Sequence, residues 1–189
     1  MQETYDQTFD STDFTQHPLT PGTYDNCTFN NCNFYETKLS SFIFIDCQFI
    51  GCNVSMSKLD KTVLRDIKFK DCKMLGLPLD KCAPFGLAFS FDNCQLNYAS
   101  FIGTKIKNTI FKNSKLEETN FTGCDLTSAS FDNCDLSRAV FDNTNLEKAD
   151  FRTAYNYSIN PEMNRMKKAR FSLNGVAGLL DKYDLRIES

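Results

Sequence analysis

FTGCDLTSASFDNCDLSRAVFDNTNLEKADF, residues 121–151, sets a large apolar side chain at every fifth position: Phe121, Leu126, Phe131, Leu136, Phe141, Leu146 and Phe151. Two residues before the large one stands a small one, as at Cys124, Ala129, Cys134, Ala139 and Ala149. The rest is mostly polar. A helix would repeat its apolar residues near 3.6 and a half-buried strand at 2, so neither element alone explains the pattern. Upstream the series continues through Leu116, Phe111, Ile106, Phe101 and Leu96 to Phe91. Beyond a two-residue offset it runs from Leu79 back to Phe9 without a polar interruption. The offset falls in Pro84-Phe85-Gly86-Leu87-Ala88, where proline removes a backbone donor and glycine permits an unusual turn.

Blocks such as Cys124-Asp125-Leu126-Thr127-Ser128 and Ala149-Asp150-Phe151-Arg152-Thr153 strongly resemble the pentapeptide-repeat family, with its consensus A(D/N)LXX. The resemblance implies an all-β fold, a right-handed quadrilateral parallel β-helix with four pentapeptides per coil. Large residues twenty apart should then stack in columns. Across the offset, one column reads Phe9, Phe29, Phe49, Phe69, Phe91, Phe111, Phe131, Phe151 and Phe171; another reads Leu19, Leu39, Leu59, Leu79, Phe101, Phe121 and Phe141. About eight coils at ~4.8 Å make a rod near 40 Å long. Each coil depends on its neighbours for burial, so the ends need caps. Phe42 and Phe89 set large rings where small residues normally sit, which predicts local distortion of the square.

The whole chain, 1–189, therefore reads as one solenoid domain: an irregular N-terminal coil over 1–21, repeats over 22–153 with a break near 80–90, and a degenerate last coil and cap over 154–189. Gln7 and His17 occupy expected inward positions in the first coil, near Pro18 and Pro21. Residues 172–183 read as a short capping helix, with Ser172 or Asn174 as N-cap, and Leu185 and Ile187 as a following strand. The cap resembles that through which several family members dimerise. Leu173, Val176, Leu179, Leu180, Tyr183 and Ile187 are its candidate contact residues, and Pro84, Phe85, Gly86 and Leu87 are candidate loop contacts.

Net charge is −3 and the sequence pI about 5.2, which argues against a phosphate-binding basic stripe. Residues 1–60 hold eight acids and two bases, 61–120 ten bases and six acids, and 121–189 ten acids and nine bases. No stretch reaches the ~20 apolar residues of a membrane span, and MQETYDQTFD lacks the basic and apolar regions of a signal peptide, so a cytoplasmic protein without membrane contact is expected.

Nine cysteines are candidates for metal ligation or disulfides, but all sit at the small inward position, where a reduced thiol is compact filler. His17 has no evident nucleophile beside it, and no phosphate loop or nucleophile elbow is present. No catalytic residue, metal or cofactor is expected. The family resemblance includes the Qnr quinolone-resistance proteins, which act on DNA gyrase and topoisomerase IV and are thought to resemble B-form DNA. It implies a macromolecule-binding protein with a protein partner, a type II topoisomerase or an unrelated protein for which the rod is a scaffold or regulatory module. Homodimerisation through the cap is expected, and direct nucleic-acid binding is not. Lys61, Arg65, Lys68, Lys70, Lys73 and Lys81 depart from a uniformly acidic mimic.

Overall fold

In a computed structural model describing residues 2–186, the chain winds into a right-handed parallel β-solenoid of about seven regular turns. Strands β1 (Gln2–Tyr5), β2 (Thr8–Asp10), β3 (Gly22–Asp25), β4 (Thr28–Asn30), β5 (Ile43–Ile45), β6 (Gln48–Ile50), β7 (Val63–Arg65), β8 (Ile67–Lys70), β9 (Phe89–Asp92), β10 (Ile110–Lys112) and β11 (Ser130–Asp132) follow in order. They pair in parallel as β1-β3-β5-β7 on the first face and β2-β4-β6-β8-β9-β10-β11 on the second. Third and fourth faces are tighter turns, tied between coils by bridges such as Lys73↔Gln95 and Ser100↔Asn120. Partners lie twenty residues apart, as in Phe9↔Phe29 and Phe111↔Phe131, which is the coil length the columns required.

Every large residue of the five-residue series from Tyr24 to Phe151 is buried. Along the second face successive phenylalanine rings from Phe9 to Phe171 stack at 4.7–5.4 Å between centroids. The fourth-face rings meet them edge-on, Phe121 lying 5.8 Å from Phe111 at 82°. A square of side chains thus holds both aromatic geometries that the ring quadrupole favours. Phe42 is absorbed by stacking on Phe44 at 5.9 Å, and Phe89 tilts against Phe91 at 5.1 Å.

Most corners follow a large residue by two positions and take positive φ, Asn26, Asn31, Asn93 and Asn113 among them. Asparagine tolerates this region better than most residues, and its amide also ties coils together. Asn26 donates to Asp6 at 2.6 Å and Asn133 to Asn113 at 2.9 Å.

The smaller inward residues do more than fill space. At several such sites a side chain donates to a carbonyl of the previous coil: Cys52 to Phe29 O at 3.1 Å, Ser57 to Phe34 O at 2.6 Å, Thr119 to Leu96 O at 2.9 Å. Cysteine, serine and threonine share one job, satisfying a buried acceptor within a methyl-sized space.

The two extra residues lie between Ala83, which still donates to Thr62 O, and Ala88, which donates to Leu64 O. They end the first-face sheet at β7, while the second face continues from β8 to β9 through Phe69↔Phe91. In the first coil, β1 and β2 pair regularly with β3 and β4, whereas Gln7 and His17 are exposed, contrary to their expected inward placement. No coil lies beneath them to draw those side chains inside. Among the described residues no helix is long and apolar enough to cross a membrane.

Candidate functional site

All nine thiols are free and lie inside the square, while His17 is outside it. Burial pushes Cys47, Cys82 and Cys134 up to about 12. Hydrogen bonding with Cys52 and Cys94, together with burial, holds Cys72 protonated. All nine thiols are buried in the interior.

The outer surface sorts its charge by face. In the first three coils Glu3, Asp6, Asp10, Asp13, Asp25, Glu36 and Asp46 lie on the first, second and third faces or their corners. Lys38 and Lys58 bridge to one another on the fourth face, which also carries Asp60, the acceptor of Ser40 Oγ. Among the described residues no ion pair involves those seven carboxylates. Farther along, charges pair locally: Arg138 joins Glu117 and Glu118, and Asp150 joins Arg152 and Arg170.

The break builds a projection. Pro84, Phe85 and Gly86 are exposed, Phe85 by 85%, and Leu87 is buried beneath them as the loop's anchor. Gly86 has φ +73° and runs against the Arg65 guanidinium. Phe85 and Ile102 flank a groove of about 320 Å³.

The cap takes 3-10 form, over Leu173–Leu179 and Asp181–Tyr183, rather than a full α-helix. Ser172 is its N-cap, accepting from Gly175 N at 3.2 Å, so Asn174 lies inside the turn. Leu179 packs on the core and Leu180 is half-buried, whereas Leu173, Val176 and Tyr183 face outward. Asp184 turns left-handed at φ 50°, and Leu185 is exposed outside any strand, which corrects the expected terminal strand. Ile187 lies outside the described residues. Tyr157 is the seat of the cap: a Cβ at Gly178 would come within 2.1 Å of Tyr157 O, and one at Gly175 within 2.0 Å of its hydroxyl.

Gly178→Val is therefore expected to lift the cap, costing roughly 1–3 kcal/mol through overpacking. Protease digestion would show cleavage near residues 172–183 before the repeats yield. Unchanged resistance there would show that the close approach does not hold the cap.

Parallel coils and an aromatic interior define a square solenoid. A family description, pentapeptide repeat region, matches residues 23–84 and 81–151, and the chain belongs to that family. Trypsin-treated QnrB1, described as a plasmid-mediated fluoroquinolone resistance protein, superposes with TM-score 0.64 at 14% identity, covering 99% of each chain. A second trypsin-treated form gives 0.51 at 16%, covering 99% of this chain and 100% of that one. HetL from the cyanobacterium Nostoc sp. strain PCC 7120 is 18% identical over 92% of this chain and 85% of its own, with TM-score 0.35. No curated protein sequence matches. Identities this low speak for a common fold.

Proposed function

We propose that the protein is a non-enzymatic, cytoplasmic docking rod whose partner is another protein. The observation that carries this is the placing of seven of the eight carboxylates of residues 1–60 on three contiguous faces or their corners, with Lys38 and Lys58 on the fourth beside Asp60. A rigid array of unpaired carboxylates complements a basic groove and steers its approach. The same array, on a fold like that of QnrB1, supports a finer reading: the rod engages DNA gyrase or topoisomerase IV as a partial DNA mimic. The mimicry is confined to the acidic coils, because basic residues crowd the middle. In this reading Leu173, Val176 and Tyr183 join two copies through the cap. Pro84 and Phe85 offer an apolar contact farther along the rod, next to Arg65. The second reading, a scaffold for an unrelated protein, draws on that exposed loop.

Gyrase supercoiling titrated with the purified protein, with and without a quinolone, tests the finer reading. The expected result is dose-dependent inhibition or relief from the drug. No effect in either arm removes the topoisomerase and leaves the scaffold.

A further inference from the structure

Two strands of the first coil have only one partner each. β1 and β2 stand at the ends of their sheets, joined to β3 and β4, and among the described residues nothing pairs with their other edge. The groups on that edge follow from the next coil. There Thr28 N donates back to Gln7 O at 2.8 Å, and Asn30 O accepts from Ser11 N at 2.8 Å. Thr8 and Asp10 hold the same positions one coil earlier, so their backbone groups turn to where no coil lies. Asp10 O accepts from Thr12 Oγ at 3.2 Å, which leaves both groups of Thr8 and the Asp10 N–H for a further strand. On the third face the edge is closed, because Asp13 O accepts from Gln16 N and His17 N.

The open edge is apolar at its centre and acidic around it. Phe9 is only partly buried and stacks on Phe29 alone, at 4.8 Å. Asp6, Asp10 and Asp13 flank it along the chain, and Glu3 lies on β1. Asp6, Asp10 and Asp13 accept amides from Asn26, Asn30 and Asn33, Asp13 also a hydroxyl from Thr15, and Glu3 one from Tyr5. The first Lys or Arg of the chain is Lys38, on the fourth face, and His17, near Asp13, is the only basic side chain before it. A second copy would bring the same carboxylates and be repelled, whereas a basic strand is drawn in.

We propose that an extended basic segment of a partner protein adds to β2 as the next strand, with a large apolar side chain on Phe9 and Lys or Arg on either side of it, beside Asp6, Asp10 and Asp13. Later coils fix the pairing: Phe131 N donates to Asp150 O and Phe151 N to Arg170 O. The segment's apolar residue therefore donates to Thr8 O, and Thr8 N donates to the carbonyl two residues before it. β2 is three residues long, so the contact is weak and salt-sensitive. It calls for no topoisomerase, and it lies at the end of the rod rather than on its faces.

Fluorescence anisotropy of a labelled Lys-Lys-Phe-Lys-Lys peptide, titrated with the full chain, reads the binding. Thr8→Pro removes an N–H that no other part of the chain uses and keeps the charge, so the fold is expected to survive while binding falls at least about tenfold. Circular dichroism checks the fold. N-methylation of the peptide's Phe, which removes the donor to Thr8 O, is expected to weaken binding at least about fivefold; N-methylation of the following Lys, whose N–H points away, changes it by less than about twofold. This pair decides alone where Thr8→Pro does not fold. Absence of binding to the parent at low salt overturns the proposal. Equal binding of both methylated peptides, with loss only on Asp6→Lys and Asp10→Lys, overturns strand addition and leaves the acidic docking surface standing. Self-association that Thr8→Pro abolishes, without peptide binding, overturns the basic occupant.

Discussion

Phe111→Ala is expected to destabilise the protein by roughly 3–5 kcal/mol in a denaturant melt, through lost burial and the cavity left behind. Phe111 is fully buried, stacks on Phe91 at 5.1 Å and Phe131 at 4.9 Å, and meets Phe101 and Phe121 edge-on. Rings above and below are held by their own strands, so the gap cannot close. Phe9→Ala should cost much less. Phe9 begins the column, stacks on one side only, and is already partly exposed. The same substitution at the two positions thus reads the depth of the column. A loss below about 1 kcal/mol at Phe111 would mean that the stack does not carry the core.

Alkaline pH is expected to weaken the fold steeply. Cys47, Cys82 and Cys134 have folded pKa values of about 12 against 9.0 for a free thiol, the cause in each being burial. The folded state therefore holds protons that the unfolded state releases. Stability from these groups is complete below about pH 9 and falls as pH rises toward about 12, by up to about 1.4 kcal/mol per pH unit for each thiol. Burial raises Tyr24 and Tyr157 also, and their loss has the same sign. Urea midpoints measured across that range for the parent and for a Cys47→Ala, Cys82→Ala, Cys134→Ala variant isolate the thiols. The variant starts lower, since it lacks three buried side chains, but its midpoint should decline less. Parallel declines would show that the thiols ionise freely in the folded protein.

The inward half of the molecule is legible in the sequence because one position is reused in every coil. Phe9 to Phe171 reads as a column before any coordinate is known, and Pro84–Ala88 as the break. Corner positions are legible where Asn26, Asn31, Asn93 and Asn113 occupy them. They are hidden at Met56, Tyr98 and Arg138, where the coil's geometry imposes positive φ on residues that do not favour it. Cys52, Ser57 and Thr119 show by size that they face inward. Their donation to a carbonyl twenty-three residues earlier appears only when the coils are stacked. The cap reads as a helix because Ser172 signals a start. It is a short helix, of 3-10 form, and the press of its glycines against Tyr157 appears only in the folded chain. The candidate surface was least visible: counted along the chain, the first third is acidic with two lysines. Folding at twenty residues per coil sends Lys38 and Lys58 to one face with Asp60 and leaves the other seven carboxylates on the remaining three.

Gyrase supercoiling titrated with the parent protein and with an Asp10→Lys, Glu36→Lys variant tests most directly whether that carboxylate array is the working surface. Both side chains are exposed on the outside of the rod. The parent is expected to inhibit supercoiling or relieve quinolone action, and the variant to need at least about tenfold more protein for the same effect. Equal potency of the two, with both folded, would contradict an acidic docking surface.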